Sequence, residues 1–289
     1  MASTVAPSRA AGRQGLRFGV YYSGGVDWTF QTKVVRTLGD YSYLPYGSDY
    51  GDYAEAQVRE LIVRYRPDIL WNDISWPTGQ ARLNALFADY YNTVPDGVVN
   101  DRWQTDSLAK KAMGLRPMRA TFDAFMKAVI SRKPDFVDSV KPPKIPHADY
   151  TTPEYTQYEA TQAKQWETTR GMGTSYGYNR AETERGYASF ERTLFPSFVD
   201  AVAKNGNLLI NVGPAGGQGT IPIEQRRRLD AFGRWLSANG DAVYRTRPHH
   251  VSQARAARGE EVRFTRSTAG IGLVILGRPK GTKVVIKDV

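Results

Sequence analysis

The stretch DYAEAQVRELIVRYRPDILWND, residues 52–73, decides the fold class. Ala56, Val58, Leu61, Ile62 and Tyr65 recur close to helical spacing, so residues 52–65 are predicted to form a helix with one apolar face. The run that follows, 68–73, is short and nearly continuously apolar before it ends at Trp71-Asn72-Asp73. Such a run is the mark of a strand buried on both faces. Helix and buried strand in alternation make a parallel sheet or barrel.

The same alternation extends in both directions. Strands are predicted at 16–22, 97–101, 165–169 and 207–212 besides 68–73, and helices at 190–204 and 224–239. Gly206 and Gly240 stand where glycines commonly close helices. After residue 240 the pattern changes to short β-like runs at 261–265, 271–276 and 283–286, separated by Gly and Pro turns. The expected organisation is a leader of small residues over 1–14, disordered, then an α/β domain over 15–240, and a small β-domain over 241–289. Within the large domain, 104–148 reads as a long basic insertion, partly helical over 113–132 and ending in the Pro-rich loop KPPKIPH.

Bulk composition narrows the function classes. The chain has 289 residues, 41% hydrophobic and 24% charged, enough for one large core plus an appendage. It has no cysteine, so neither disulfides nor thiolate metal sites apply. The formal charge of +10 is spread over predicted helices and loops instead of forming one dense block, which argues against a nucleic-acid partner. No apolar run has the length of a signal-peptide core or a membrane span, so a soluble, cytoplasmic protein is expected.

In parallel α/β folds the functional groups gather where strands end. Those ends carry Tyr21-Tyr22, Trp71-Asn72-Asp73, Asn100-Asp101-Arg102-Trp103, Trp166-Glu167 and Asn211-Val212-Gly213. Aromatic rings interleaved with carboxylates suit a sugar, whose apolar face packs on a ring while acids handle its oxygens. Strand alternation lets only one of Tyr21 and Tyr22 face such a site. The histidines, His147, His249 and His250, show no ligand spacing with carboxylates, and no metal or other cofactor is expected. Glycoside cleavage needs two carboxyl groups in different roles. Asp73 is the candidate for the ionised member, with a helix-capping or loop-ordering aspartate as its bland alternative. By position the acid is Glu167 or, more loosely, Glu154.

Six segments then carry a resemblance: RFGVYYSGGVDW (17–28), RYRPDILWNDISWP (64–77), VVNDRW (98–103), DYTTPEY (149–155), QWETTRGMGTSYGYNR (165–180) and KNGNLLINVGP (204–214). In this order they resemble the bacterial α-L-fucosidases of glycoside hydrolase family 29. The resemblance implies a retaining glycosidase that releases α-L-fucose from fucosylated oligosaccharides or glycosides. It implies Asp73 as nucleophile, Glu154 as acid/base, and sugar contacts from Tyr21, Trp71, Arg102 and Tyr176. It also implies a TIM-like (β/α) barrel followed by a β-sandwich. Further βα units and their histidine motifs, which precede the first segment in that family, have no counterpart here, so the barrel is expected to be incomplete and the β-sandwich a remnant. Five predicted strands do not close an eight-stranded barrel. A homo-oligomer or a complementing N-terminal chain is therefore expected, and the alternative activity is that of an impaired fragment serving only to bind carbohydrate or as a scaffold.

Overall fold

A computed structural model of the chain describes residues 2–30, 34–42, 48–105, 112–133, 145–217, 219–279 and 281–287. The chain divides into two compact units, Met1–Tyr150 and Thr151–Val289.

The first unit is built on a parallel sheet in the order β1 (Gly19–Ser23), β2 (Ile69–Asp73), β3 (Val98–Val99). Helix α1 (Ala2–Arg13) precedes it, α2 (Leu38–Ser42) and α3 (Ser48–Tyr65) cross from β1 to β2, and α4 (Gln80–Thr93) crosses from β2 to β3. Crossovers of this length are what parallel neighbours require. The fully buried stripe of α3 is Ala54, Val58 and Ile62, spaced i, i+4, i+8. It packs with Leu83, Leu86, Phe87 and Tyr90 of α4 on Val20, Leu70 and Val99 of the strands, and Trp76 and Trp103 fill the same core. Each such side chain contributes roughly 1.5–3 kcal/mol by leaving water. At the end of α3, Arg66 takes φ 44° and its N–H still reaches the Ile62 carbonyl at 3.0 Å, after which Pro67 prevents continuation.

Three features of this unit differ from expectation. The leader is helical over Ala2–Arg13, in keeping with its four alanines in that span. Strand β3 stops at Val99 where 97–101 was expected. Its extension is replaced by a side chain: Asn100 Oδ1 accepts the Asn72 N–H at 3.0 Å and Asn100 Nδ2 donates to the Asn72 carbonyl at 2.8 Å. Within the expected insertion, α5 (Arg116–Arg132) forms with no fully buried residue, and its Asp123 accepts the Gly39 N–H at 2.8 Å. Positions 106–111 and 134–144 of that insertion, including most of KPPKIPH, lie outside the described residues.

The second unit pairs β4 (Trp166–Gly171) with β5 (Gly206–Asn211) in parallel, from Trp166↔Gly206 to Gly171↔Asn211. Between them a π-turn, Phe190–Leu194, opens α6 (Phe195–Ala203), and α7 (Ile223–Asn239) follows β5. An antiparallel sheet, β6 (Arg247–Arg255), β7 (Glu261–Ser267) and β8 (Gly270–Leu276), completes it. No domain boundary falls at residue 240, because Phe195 and Val199 of α6 share a core with Trp235 of α7 and with Val274 and Leu276 of β8.

A single three-stranded sheet is described where a β-sandwich remnant was expected. The strand expected at 283–286 is irregular, although Val284 and Ile286 cover Ala256, Val262 and Phe264 and the Val285 carbonyl accepts the Ala257 N–H at 2.8 Å. Strand β6 was not expected, because RPHHVSQAR lacks an alternating apolar pattern. The residue that closes α6 in the left-handed region is Asn205, at φ 73°, and not Gly206. Gly206 is required for a different reason: a Cβ there would stand 2.4 Å from the Trp166 ring. Gly240 has φ −56° and starts a short 3-10 turn. Among the described residues no helix is long and apolar enough to cross a membrane.

Candidate active site

Asp73 is the last residue of β2, and its carboxylate accepts from two neighbouring segments and from the next residue of its own. The Tyr21 hydroxyl of β1 donates to Oδ2 at 2.8 Å, Arg102 donates to Oδ1 at 2.9 Å, and the Ile74 N–H donates to Oδ1 at 2.9 Å. Parallel register explains the neighbours. Tyr21 lies opposite Trp71, so their rings stack with centroids 5.4 Å apart, and the Tyr21 hydroxyl reaches past to Asp73. The Arg102 guanidinium sits over the Trp71 ring at 4.9 Å while it pairs with Asp73. The Asp73 and Arg102 side chains keep 21% and 20% of their surface, so the pair is sheltered yet reachable from solvent. Tyr22, on the opposite face of β1, donates to Gln57 and packs against the core. Burial pushes its phenol well above the ordinary tyrosine range, while the hydrogen bond from Tyr21 makes that residue the member of the pair at the carboxylate.

The chain leaves Asp73 through a turn that no sequence pattern announced. Ile74 and Ser75 follow one another in the left-handed region, at φ 60° and 71°. For a β-branched residue that conformation is a real outlier, and it persists only where the surroundings impose it. Here they do. The Asn72 amide is fully buried and donates to the Ser75 carbonyl and the Arg102 carbonyl, both at 2.8 Å. Gly24 donates to the Asp73 carbonyl at 2.9 Å, and a Cβ on Gly24 would meet the Ser75 oxygen at 2.4 Å. Asn72 thus ties the turn after Asp73 to the backbone of Arg102. The bland role of Asp73 is also present, since its carboxylate orders the first amide of that turn.

Glu154 and Tyr176 belong to the second unit. Residues 151–155 lie along β4 through two isolated parallel bridges, Thr151↔Trp166 and Glu154↔Thr169. The Thr169 N–H reaches the Pro153 carbonyl at 3.1 Å and the Tyr155 N–H reaches the Thr169 carbonyl at 3.0 Å. Glu154 is exposed at the end of this ladder. Tyr155, at φ 49°, turns the chain away, and its hydroxyl accepts the Gly171 N–H at 3.1 Å. Its ring stands 5.8 Å from that of Tyr176, and Arg170 covers it at 5.3 Å. Burial, with the Glu154 charge adding to it against an opposing hydrogen bond to Thr169, pushes the Tyr176 phenol up to about 12. Glu167 sits two residues before Thr169 within β4, half-buried and in register with Asn207. Arg170, on the other face of that strand, covers the Tyr155 ring.

The structure therefore gathers Asp73, Tyr21, Trp71 and Arg102 in the first unit, and Glu154 with Tyr176 in the second. Sequence reasoning placed Asn72 and Asn100 at strand ends without a role and gave none to Tyr155. Asn72 and Asn100 stood inside quoted motifs, and their signal was a strand-end amide without an apolar role. Among the described residues no group of three or more His, Asp or Glu side chains is placed to hold a metal.

Parallel strands that end in a carboxylate, a guanidinium and stacked aromatic rings place the chain among α/β proteins. Residues 6–241 match the family described as alpha-L-fucosidase, and the chain belongs to that family. A solved α-fucosidase of Thermotoga maritima, in complex with a mechanism-based inhibitor, is 41% identical with a TM-score of 0.78. The match covers 98% of this chain and 56% of that one. Among curated relatives, an alpha-L-fucosidase of Branchiostoma floridae is 25% identical over 277 residues, 94% of this chain and 52% of its own. A tissue alpha-L-fucosidase of Bos taurus is 26% identical over 230 residues, 78% of this chain and 40% of its own. The chain thus spans about half the length of these curated relatives.

Proposed function

We propose that the chain carries the fucose-cleaving carboxylates of a retaining α-L-fucosidase. Asp73 attacks the anomeric carbon while Glu154 gives a proton to the leaving glycosidic oxygen, which forms a fucosyl ester on Asp73. Water then adds to the same carbon as Glu154 takes its proton, and free fucose leaves with the Asp73 carboxylate restored. The observation that carries this reading is the seating of Asp73 between the Tyr21 hydroxyl and Arg102, beside the Trp71 ring. Exposed Tyr21 and Tyr176 supply apolar surface for the sugar, Trp71 contacts it only at its edge and backs the Tyr21 ring and the Arg102 guanidinium, and Arg102 supplies donors for its hydroxyls. A similar Thermotoga maritima α-fucosidase, 40% identical, has been solved in complex with fucose.

Retention requires the two carboxyl groups to act about 5–5.5 Å apart. Among the described residues β1 pairs only with β2, so its outer edge is open to another strand. We infer that a second copy or a complementing chain covers that edge in the working protein. Sedimentation at micromolar concentration tests this, and a well-folded monomer would count against it.

The decisive assay compares the chain with Asp73→Asn on a fucoside carrying a good leaving group. Cleavage should fall by about a thousandfold or more in the variant. Equal rates would sink the assignment of Asp73, while fucose binding with no turnover in either protein would favour a carbohydrate-binding or scaffold role.

A further inference from the structure

One end of the antiparallel sheet in the second unit carries an open cavity of about 620 Å³, within the range of small-molecule sites (~300–1,000 Å³). It is lined by His249 and His250 of β6, Arg266 and Ser267 at the end of β7, Ile271 of β8, and Thr161 from the segment before β4. Register brings them together: Arg247 lies opposite Arg266, and Arg266 opposite Ile271. The lining contains no carboxylate.

Its polar groups are donors with spare capacity. Arg266 Nε donates to the Pro248 carbonyl at 3.0 Å, which anchors the guanidinium. Its terminal nitrogens carry no ion pair among the described residues. His249 is 8% exposed, and its Nδ1 lies 3.1 Å from the Val251 carbonyl and accepts the Val251 N–H at 3.3 Å, the arrangement that leaves Nε2 to carry the ring proton toward a ligand. The His250 ring stands beside it, centroid to centroid 4.0 Å. Ser267 Oγ accepts the Ala269 N–H at 3.2 Å, so the hydroxyl proton is available to donate elsewhere. A guanidinium beside two imidazoles and two hydroxyls offers an oxyanion several hydrogen bonds at once, the one from Arg266 charge-assisted.

We propose that this cavity is an oxyanion site that takes a sulfate or phosphate group, either as the free ion or as an ester on a sugar. Recognition runs from Arg266, the paired histidines and the hydroxyls of Thr161 and Ser267, while exposed Ile271 offers an apolar surface beside the bound group. The site does not depend on the glycosidase chemistry proposed above.

The test uses the full chain in thermal-shift titrations with sodium sulfate against sodium chloride at constant ionic strength. Parallel titrations use galactose 6-sulfate against galactose. The expected result is a saturable rise in Tm with sulfate, none with galactose, and at least a tenfold weaker apparent affinity in Arg266→Gln. His250→Ala, at an exposed ring, should weaken binding without affecting folding, and serves if Arg266→Gln is unstable. Tighter saturation by the sulfated sugar would assign the site to the ester, and equal or weaker saturation to the free ion. A response that does not saturate, or that is the same in wild type and both variants, overturns the proposal.

Discussion

Replacing Asp200 by Asn should destabilise the second unit severely. Asp200 of α6 is 2% exposed, and two cations converge on it: Lys204, one turn later, at 2.8 Å, and Arg263 of β7 at 2.5 Å. Lys204 is itself 3% exposed and also donates to the Tyr158 carbonyl at 2.6 Å. The carboxylate is thus the counter-ion that lets a helix pack on a sheet with two cations between them. Removing one member of a buried pair typically costs 3–5 kcal/mol, because the remaining charge is left without compensation. Arg263 keeps a second acid, Glu261 at 3.3 Å, which places the loss near the lower end, about 3 kcal/mol. At roughly 2–4 °C per kcal/mol for a domain of about 150–250 residues, Tm should drop by about 6–12 °C. Circular dichroism at 222 nm during heating reads this directly. Asp200→Asn combined with Lys204→Met should recover part of the loss, since it removes one stranded cation. A single variant melting within about 2 °C of wild type, or a double variant with no recovery, would refute the charge-based reasoning.

Other consequences are equally direct. Ser75→Gly should raise stability by about 0.5–1 kcal/mol, the relief of a left-handed residue less the added freedom of the unfolded chain, readable as a shift in urea midpoint. The same change should slow fucoside cleavage if the strained turn aims Asp73, and a loss of stability would contradict the account of strain. The Tyr176 phenol is raised in the folded state, so its contribution to stability is fully present below the unfolded tyrosine value near 10. It is lost as pH climbs from there toward about 12. Absorbance at 295 nm alongside unfolding should show Tyr176→Phe to be less sensitive over that interval, and identical alkaline profiles would count against the assignment.

Much of this architecture was written locally. The predicted strands at 16–22, 68–73, 165–169 and 207–212 correspond to β1, β2, β4 and β5 within a few residues, because a buried parallel strand needs an apolar run whatever lies beside it. The helices at 52–65 and 224–239 were equally legible from their apolar spacing. Asp73, Tyr21, Trp71 and Arg102 were named from strand ends and motifs, and the structure places them in mutual contact.

What the sequence could not carry were features made by pairing across long separations. Strand β6 is polar and Pro-containing, and exists because β7 offers it a partner. Asn100 ends β3 by substituting its amide for a ladder bond to Asn72, 28 residues earlier. The boundary expected at residue 240 disappears because α6, α7 and β8 share one apolar cluster. The turn at Ile74 and Ser75 opposes local preference and is held by Asn72 and Gly24 from outside. Periodicity and motif order reflect each segment's own need to bury one face, so the sequence alone determined the buried parallel strands, the helices at 52–65 and 224–239, and the position of Asp73 at the end of β2. Strain, register and shared cores arise from contacts between distant segments, so only the tertiary structure decided how that carboxylate is held.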